Sequence, residues 1–178
     1  MKRLLFFTAV LLTGAALAVA AVRAASPQET DLVEQIIARI RDARVEFDYS
    51  YSVAGKVPVQ ASGHACFEGR RYHLEGNGLV VRCDGVSRWT ADPKTREVYI
   101  EKAGGPDAAL ENPEAFLRSA RDLKYDGDIL SGTVRLEDGS ELSCRLTGIR
   151  TQAATGSLDG FRMDTGTLGK DWIITDLR

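Results

Sequence analysis

Residues 45–53 alternate apolar and polar side chains without a break, with Val45, Phe47, Tyr49, Tyr51 and Val53 set against Glu46, Asp48, Ser50 and Ser52. A period of two predicts a strand with one apolar face. Val57, Val59, Ala61, Gly63, Ala65 and Phe67 carry that face into a second strand, which Pro58 opens at an edge or a bulge. From Gly63 to Glu101, short runs of β-formers are cut by Gly69-Arg70, Gly76-Asn77-Gly78, Asp84-Gly85 and Asp92-Pro93-Lys94-Thr95, each a turn signal. Two-residue turns at the first, third and fourth, with a three-residue turn at the second, set Phe67 opposite Tyr72 and Leu74 opposite Val80. The same choice sets Val80 opposite Trp89 and Trp89 opposite Val98. Cross-strand partners share a face, so these registers predict one apolar row at least six strands wide. Its expected members are Phe47, Tyr49, Tyr51, Phe67, Tyr72, Leu74, Val80, Trp89, Val98 and Ile100. The other face then collects His64, Cys66, Glu68, Arg71, His73, Glu75, Arg88, Glu97 and Tyr99.

Two helices flank these strands in the pattern. Ser26-Pro27-Gln28-Glu29 reads as a cap, a proline at the first helical position and a glutamate at the third. Leu32, Val33, Ile36, Ile37 and Ile40 follow at helical spacing, a stripe that needs a partner, and the apolar sheet is the available one. A second helix is expected from Asn112-Pro113-Glu114 to about Leu123, with Phe116, Leu117, Ala120 and Leu123 on one side. Ile36, Ile40, Phe116 and Leu117 are therefore candidates to cover the apolar face. Beyond it Leu130, Gly132, Val134 and Leu136 alternate, then Leu142, Cys144 and Leu146 do. A three-residue turn at Glu137-Asp138-Gly139, with Gly139 left-handed, pairs Val134 with Leu142 and keeps the faces clean. Further strands fit Phe161–Thr165 and Trp172–Leu177. The pattern predicts a curled antiparallel sheet with two helices on its concave side.

The start of the chain adds a destination. Lys2 and Arg3 precede an apolar run from Leu4 to Val22, and Ala18-Val19-Ala20 and Val22-Arg23-Ala24 offer small residues for cleavage. This is the pattern of a secretory signal peptide over residues 1–24, leaving a single domain at 25–178. The leader holds three cations and no acid, so its removal takes the formal net charge from −2 to −5. A mildly acidic, unclustered charge argues against nucleic acid as a partner. Export makes a disulfide conceivable among Cys66, Cys83 and Cys144. The registers place one strand between Cys66 and Cys83, about 10 Å apart at two strand spacings, beyond the reach of a disulfide. Three free thiols, or one bridge to Cys144, are expected.

Catalytic signatures are missing. There is no Gly-x-Ser-x-Gly, His-Glu-x-x-His, phosphate-binding loop or paired-cysteine motif. Cys66 falls opposite His73 with His64 nearby, but three ligands are too few for a structural zinc site. Asp84 and Asp92 stand at turns, where carboxylates cap backbone amides. Neither an enzyme nor a cofactor or metal is expected.

From Asn77 to Asp92 a strand ends in Asp84-Gly85, the Trp89 strand follows, then a turn and Glu97-Val98-Tyr99-Ile100-Glu101. This resembles the LolA-type outer-membrane lipoprotein carriers, in particular their short Bacteroidetes-type subgroup. The exported start, the first helix, the Val45–Val53 strand, the Asn-Pro helix and the ending Trp172–Arg178 fall in family order, so the resemblance covers about 30–178. It departs at one turn. Better-known members have Arg-Pro, and this chain has Gly69 at the arginine's place, with Arg70 as a neighbour. The resemblance implies a mainly β fold with α, an unclosed antiparallel half-barrel whose concave, helix-lidded face holds acyl chains. It further implies a monomeric periplasmic carrier that takes acylated lipoproteins from an inner-membrane lipoprotein-releasing transporter toward the outer membrane. The alternative is a periplasmic sensor or interaction protein that uses the same groove without transport.

Overall fold

A helix, α1 (Pro27–Asp42), runs directly into the first strand. The computed structural model describes residues 27–54, 59–104, 117–126, 128–135 and 139–178. The leader, the Ser26 cap, Val57, Pro58, the helix start at Asn112-Pro113, Phe116 and residues 136–138 lie outside these. Ten strands follow α1: β1 (Ala43–Val53), β2 (Val59–Glu68), β3 (Arg71–Gly76), β4 (Leu79–Cys83), β5 (Ser87–Asp92), β6 (Glu97–Lys102), β7 (Arg121–Asp126), β8 (Ile129–Arg135), β9 (Glu141–Ala153) and β10 (Ile173–Asp176). They form one unclosed sheet in the order β10-β6-β5-β4-β3-β2-β1-β9-β8-β7. Every pairing is antiparallel except β10 with β6. The fold is mainly β, as expected.

The first half of the sheet keeps its expected register. Phe67 pairs with Tyr72, Tyr49 with Gly63 and Tyr51 with Ala61. Val134 pairs with Leu142, and Gly139 takes φ +82°. Val33, Ile37 and Ile40 of α1 are buried on this side against Val45, Phe67, Tyr72 and Leu74. Ile36 is half-buried beside them.

The second turn overturns the expected apolar row. Asn77 and Gly78 have φ +52° and +79°, the two left-handed residues of a type I′ hairpin. The turn therefore holds two residues rather than three, and Gly76 pairs with Leu79. Leu74 then faces Val81, not Val80. A one-residue slip exchanges the two faces of the strands registered on it, here β4 to β6. Later turns slide by two residues and preserve that exchange. The Asp84 carboxylate accepts the amides of Val86 (2.9 Å) and Ser87 (2.8 Å), which puts Gly85-Val86 at the tip. The Asp92 carboxylate accepts the amides of Lys94 and Thr95, and Arg96 at φ +58° completes a four-residue loop. Trp89 consequently pairs with Arg82 and Ile100, not with Val80 and Val98.

Two further expectations are corrected. Residues 117–119 are helical, but the chain is extended from Arg121 onward, where β7 pairs with β8. Leu123 is buried from that strand and packs over Gly132, where a Cβ would lie 2.8 Å from its Cδ2. Phe161–Thr165 is not a strand. Phe161 plugs between two guanidinium groups, Arg44 and Arg71, each 5.5 Å from its ring centroid. The chain then makes a short 3₁₀ turn, Thr165–Thr167, capped by the Asp164 carboxylate on the Gly166 amide at 3.0 Å.

Candidate ligand-binding face

Along β1, the expected binding residues stay together. Phe47 stacks on Phe67 with centroids 5.8 Å apart, and Phe67 meets Tyr72 at 5.9 Å. Tyr49 and Tyr51 lie parallel at 6.5 Å. The place for Tyr49 is made by two glycines paired across β2 and β3: a Cβ on Gly63 or Gly76 would come within 2.7 or 2.5 Å of its hydroxyl oxygen. Strand glycines commonly mark such close approaches. Phe67, Tyr72, Leu74, Ile40 and Leu117 are fully buried, so they form the floor and the cover rather than an open surface. Phe47, Tyr49, Tyr51 and Ile36 are only half-buried.

The strand beside β1 was not foreseen. β9 sets Leu146 against Tyr49, Cys144 against Tyr51 and Leu142 against Val53. All three β9 side chains are half-buried. Their alternation was readable in the sequence, but their neighbour was not, because β1 and β9 are separated by seven other strands in chain order. Burial raises the Tyr49 and Tyr51 hydroxyls and the Cys144 thiol above their ordinary values, so the face carries no charge at neutral pH.

Four expected members lie on the opposite side. Trp89, Val98 and Ile100 are buried there with Ala91, and Val80 packs against them. Phe67 and Trp89 thus point away from each other across the sheet. Conversely, Arg88, Glu97 and Tyr99, expected on the polar side, share the helix-bearing side. Arg88 is buried there and donates to Glu101 at 2.7 Å, and the Tyr99 hydroxyl donates to Glu97 at 3.4 Å. The helix-bearing side is therefore apolar over β9, β1, β2 and β3 and polar over β5 and β6.

Beyond β9 the chain crosses the back of the sheet. Glu68, 2% exposed, accepts from Arg71 (2.5 Å), the Gly156 amide (2.9 Å) and the Thr155 hydroxyl (3.3 Å). Arg71 donates in turn to the carbonyls of Gly156 (2.7 Å) and Ser157 (2.8 Å). Burial works to raise the Glu68 carboxyl, but the Gly156 and Thr155 donors and Arg71 outweigh it and hold the group below its ordinary range. Arg82 donates to the Arg162 carbonyl at 3.1 Å, and Met163, Leu168 and Trp172 cover the Trp89 cluster. Nothing in the turn-rich sequence 154–172 marks it as a strap.

Catalytic groupings remain sparse. Cys66 does pair with His73 across β2 and β3, and His64 lies 3.0 Å from Asp48. Burial, then the Arg82 charge, lowers the His73 imidazole, which favours its neutral form. Among the described residues no group of three or more His, Cys, Asp or Glu side chains could hold a metal ion. Cys66, Cys83 and Cys144 are free thiols. No family model matches the chain, and no curated protein matches it significantly.

Proposed function

We propose that this protein binds acyl chains on the half-buried aromatic and aliphatic face of β1, β2 and β9, and carries lipoproteins through the periplasm as the family it resembles does. One observation carries the reading: Phe47, Tyr49, Tyr51, Leu142, Cys144 and Leu146 form an uncharged, continuous and incompletely buried apolar surface on the side that bears α1. Contiguous apolar area that stays partly open to water is a common mark of a binding surface. Burial is worth about 0.8 kcal/mol per CH₂, so a sixteen-carbon chain holds its membrane by roughly 12 kcal/mol. A carrier must offer comparable burial, and rings with few rotatable bonds do so at low entropic cost. The face is narrower than the sequence implies, since Val80, Trp89, Val98 and Ile100 are not part of it. Acylated lipoproteins are the cargo of this reading, and an inner-membrane lipoprotein-releasing transporter is their donor.

The test is displacement of a fluorescent fatty-acyl probe from the purified protein. Tyr51→Glu places a charge among acyl carbons and should weaken the probe at least tenfold. Ser50→Glu, one residue along on the other side of β1, should leave binding unchanged. Equal weakening by both variants, or by neither, would remove this face as the binding site. Probe binding without any lipoprotein in the periplasmic complex would favour the sensor over the carrier.

A further inference from the structure

On the polar side of the sheet, Glu46, Cys66, His73 and Arg82 form a row across β1 to β4, each the register partner of the next. Two nitrogens in this row, His73 Nε2 and Arg82 Nε, are buried without a hydrogen-bond partner, the only such side-chain atoms among the described residues. Buried polar atoms are nearly always paired, so each such exception calls for an explanation. Here both exceptions stand on side chains directly opposed across two strands, close enough for one ligand to meet both. The strap passes over the same place. Phe161 lies between Arg44 and Arg71, one row along, and the Arg162 carbonyl accepts from Arg82 Nη1 at 3.1 Å. Cys66, on the other flank of His73, is 3% exposed.

The surrounding charges select what can bind there. Arg82 has no carboxylate partner among the described residues, and its Nε–H can only donate. Arg44 is matched by Glu46 at 2.9 Å, and His64 by Asp48 at 3.0 Å. Glu75 stops 3.9 Å short of His73 Nε2, beyond hydrogen-bond reach, with its side chain 66% exposed. A metal ion would lie against the Arg82 guanidinium, and an apolar group would leave both nitrogens unsatisfied. We propose that His73 and Arg82 hold a compact anion, which accepts hydrogen bonds from His73 Nε2 and Arg82 Nε beside the strap. Without it, burial and then the Arg82 charge favour the neutral imidazole. An anion between the two offsets that charge, so anion binding and proton uptake by His73 support each other. Binding therefore strengthens as pH falls through the His73 pKa. The other groups acting on this imidazole are Glu75 from β3, His64 from β2 and Arg44 from β1. The Cys66 thiol is raised by burial and stays neutral, and the strap contributes the Arg162 carbonyl. The site lies on the opposite side of the sheet from the acyl-binding face, so the inference stands independently of that reading.

The chain has two histidines, so the imidazole NMR signals supply a site and a control in one spectrum. The purified protein is titrated at constant ionic strength and mildly acidic pH with phosphate, acetate and chloride in turn. At least one of these anions should move the His73 signals to saturation and raise the His73 pKa, while the His64 signals stay in place. The anion that saturates at the lowest concentration identifies the ligand chemistry. Arg82→Lys keeps the charge but loses the Nε–H donor, and should weaken that anion about tenfold or more. Glu75→Gln removes the nearest competing carboxylate and should leave anion binding in place. Equal movement of both histidines is screening alone and overturns the inference. A His73 signal that follows Glu75→Gln and none of the three anions also overturns it, and assigns the nitrogen to Glu75. Absence of any response in a protein that melts cooperatively overturns it too, and leaves a buried water as the partner of both nitrogens.

Discussion

The sheet has two apolar surfaces, one on each side, and they are finished differently. On the helix-bearing side, α1 buries Val45, Phe67 and Tyr72, but the row continues past it to Tyr49, Tyr51 and Leu146, which stay half-buried. On the other side, the strap closes over Trp89, Ala91, Val98 and Ile100 until almost nothing is left exposed. Both surfaces are built from the same kinds of residue. The first keeps partly exposed apolar side chains that α1 does not cover, and such area is what a ligand can use. The sealed cluster contributes to stability, and the open one is the surface proposed to bind. Composition alone would assign them the same role.

The most severe test of that division is one added residue. With a glycine inserted between Asn77 and Gly78, the Asn-Gly pair keeps its two-residue turn, Gly78 enters β4 opposite Gly76, and β4 to β6 move into the register in which Val80 and Trp89 face α1. Both clusters would then be broken at once, and no cooperative thermal transition should remain. A variant that melts like wild type would mean that the loop absorbs the extra residue and the faces are set by the strands rather than by the turn.

Next in size is Trp89→Glu, which removes a buried ring and leaves an unpaired charge beneath the strap. It should cost about 3–5 kcal/mol and appear as a large fall in melting temperature. Tyr51→Glu, in the open row, should cost about 1 kcal/mol while weakening the acyl probe at least tenfold. If the two variants destabilise equally, the contrast between a sealed and an open surface is lost.

How far the sequence could be read follows the same line. The Val45–Val53 alternation, α1 and the Phe67–Tyr72 pairing were all legible, because a long period-two or 3.6 pattern admits one reading. The Asn77-Gly78 turn was not, because Gly76-Asn77-Gly78 offers three candidate turn residues and the choice among them is a matter of one residue in phase. From there the Trp89 strand was found but faced the wrong way. β7 reads in the sequence as the end of a helix, because Phe116, Leu117, Ala120 and Leu123 share a helical spacing over too short a span to exclude a strand. The strap gave no periodic signal, since it is held by one buried carboxylate, one arginine and scattered anchors. Half of the candidate site, Phe47, Tyr49 and Tyr51, was therefore visible. Its β9 half depended on a long-range pairing that no local pattern encodes.

A smaller effect separates the strap from the rest of the sheet. Arg71→Ala leaves the Glu68 carboxylate buried without its ion pair and should cost about 2 kcal/mol. Amide exchange should quicken over 161–176 while β1 and β2 keep their protection. Uniform loss of protection would show that strap and sheet open together.

The smallest effect is with pH. The folded Glu68 carboxyl lies below its ordinary range, so its contribution is full above the unfolded carboxylate pKa and is lost as pH falls through the lower folded value. Exchange over the strap should be insensitive to pH from neutrality down to the usual carboxylate range, after correction for intrinsic rates, and should quicken only below it. Glu68→Gln should flatten that acid limb. A limb that begins near neutrality would point to His73 instead.

The clasp also fixes an order of events. Glu68 and Gly156 are 88 residues apart in sequence, and the ring they enclose between Arg44 and Arg71 needs β1 and β3 already in place. Closing so long a loop is slow, and it must wait for the hairpins. Residues 154–172 are thus the last to seat, and until they do the indole of Trp89 faces water. In this chain the closing step of folding is also the step that hides its stickiest surface, so a folding molecule is most exposed to aggregation in the interval before residues 154–172 cross the sheet.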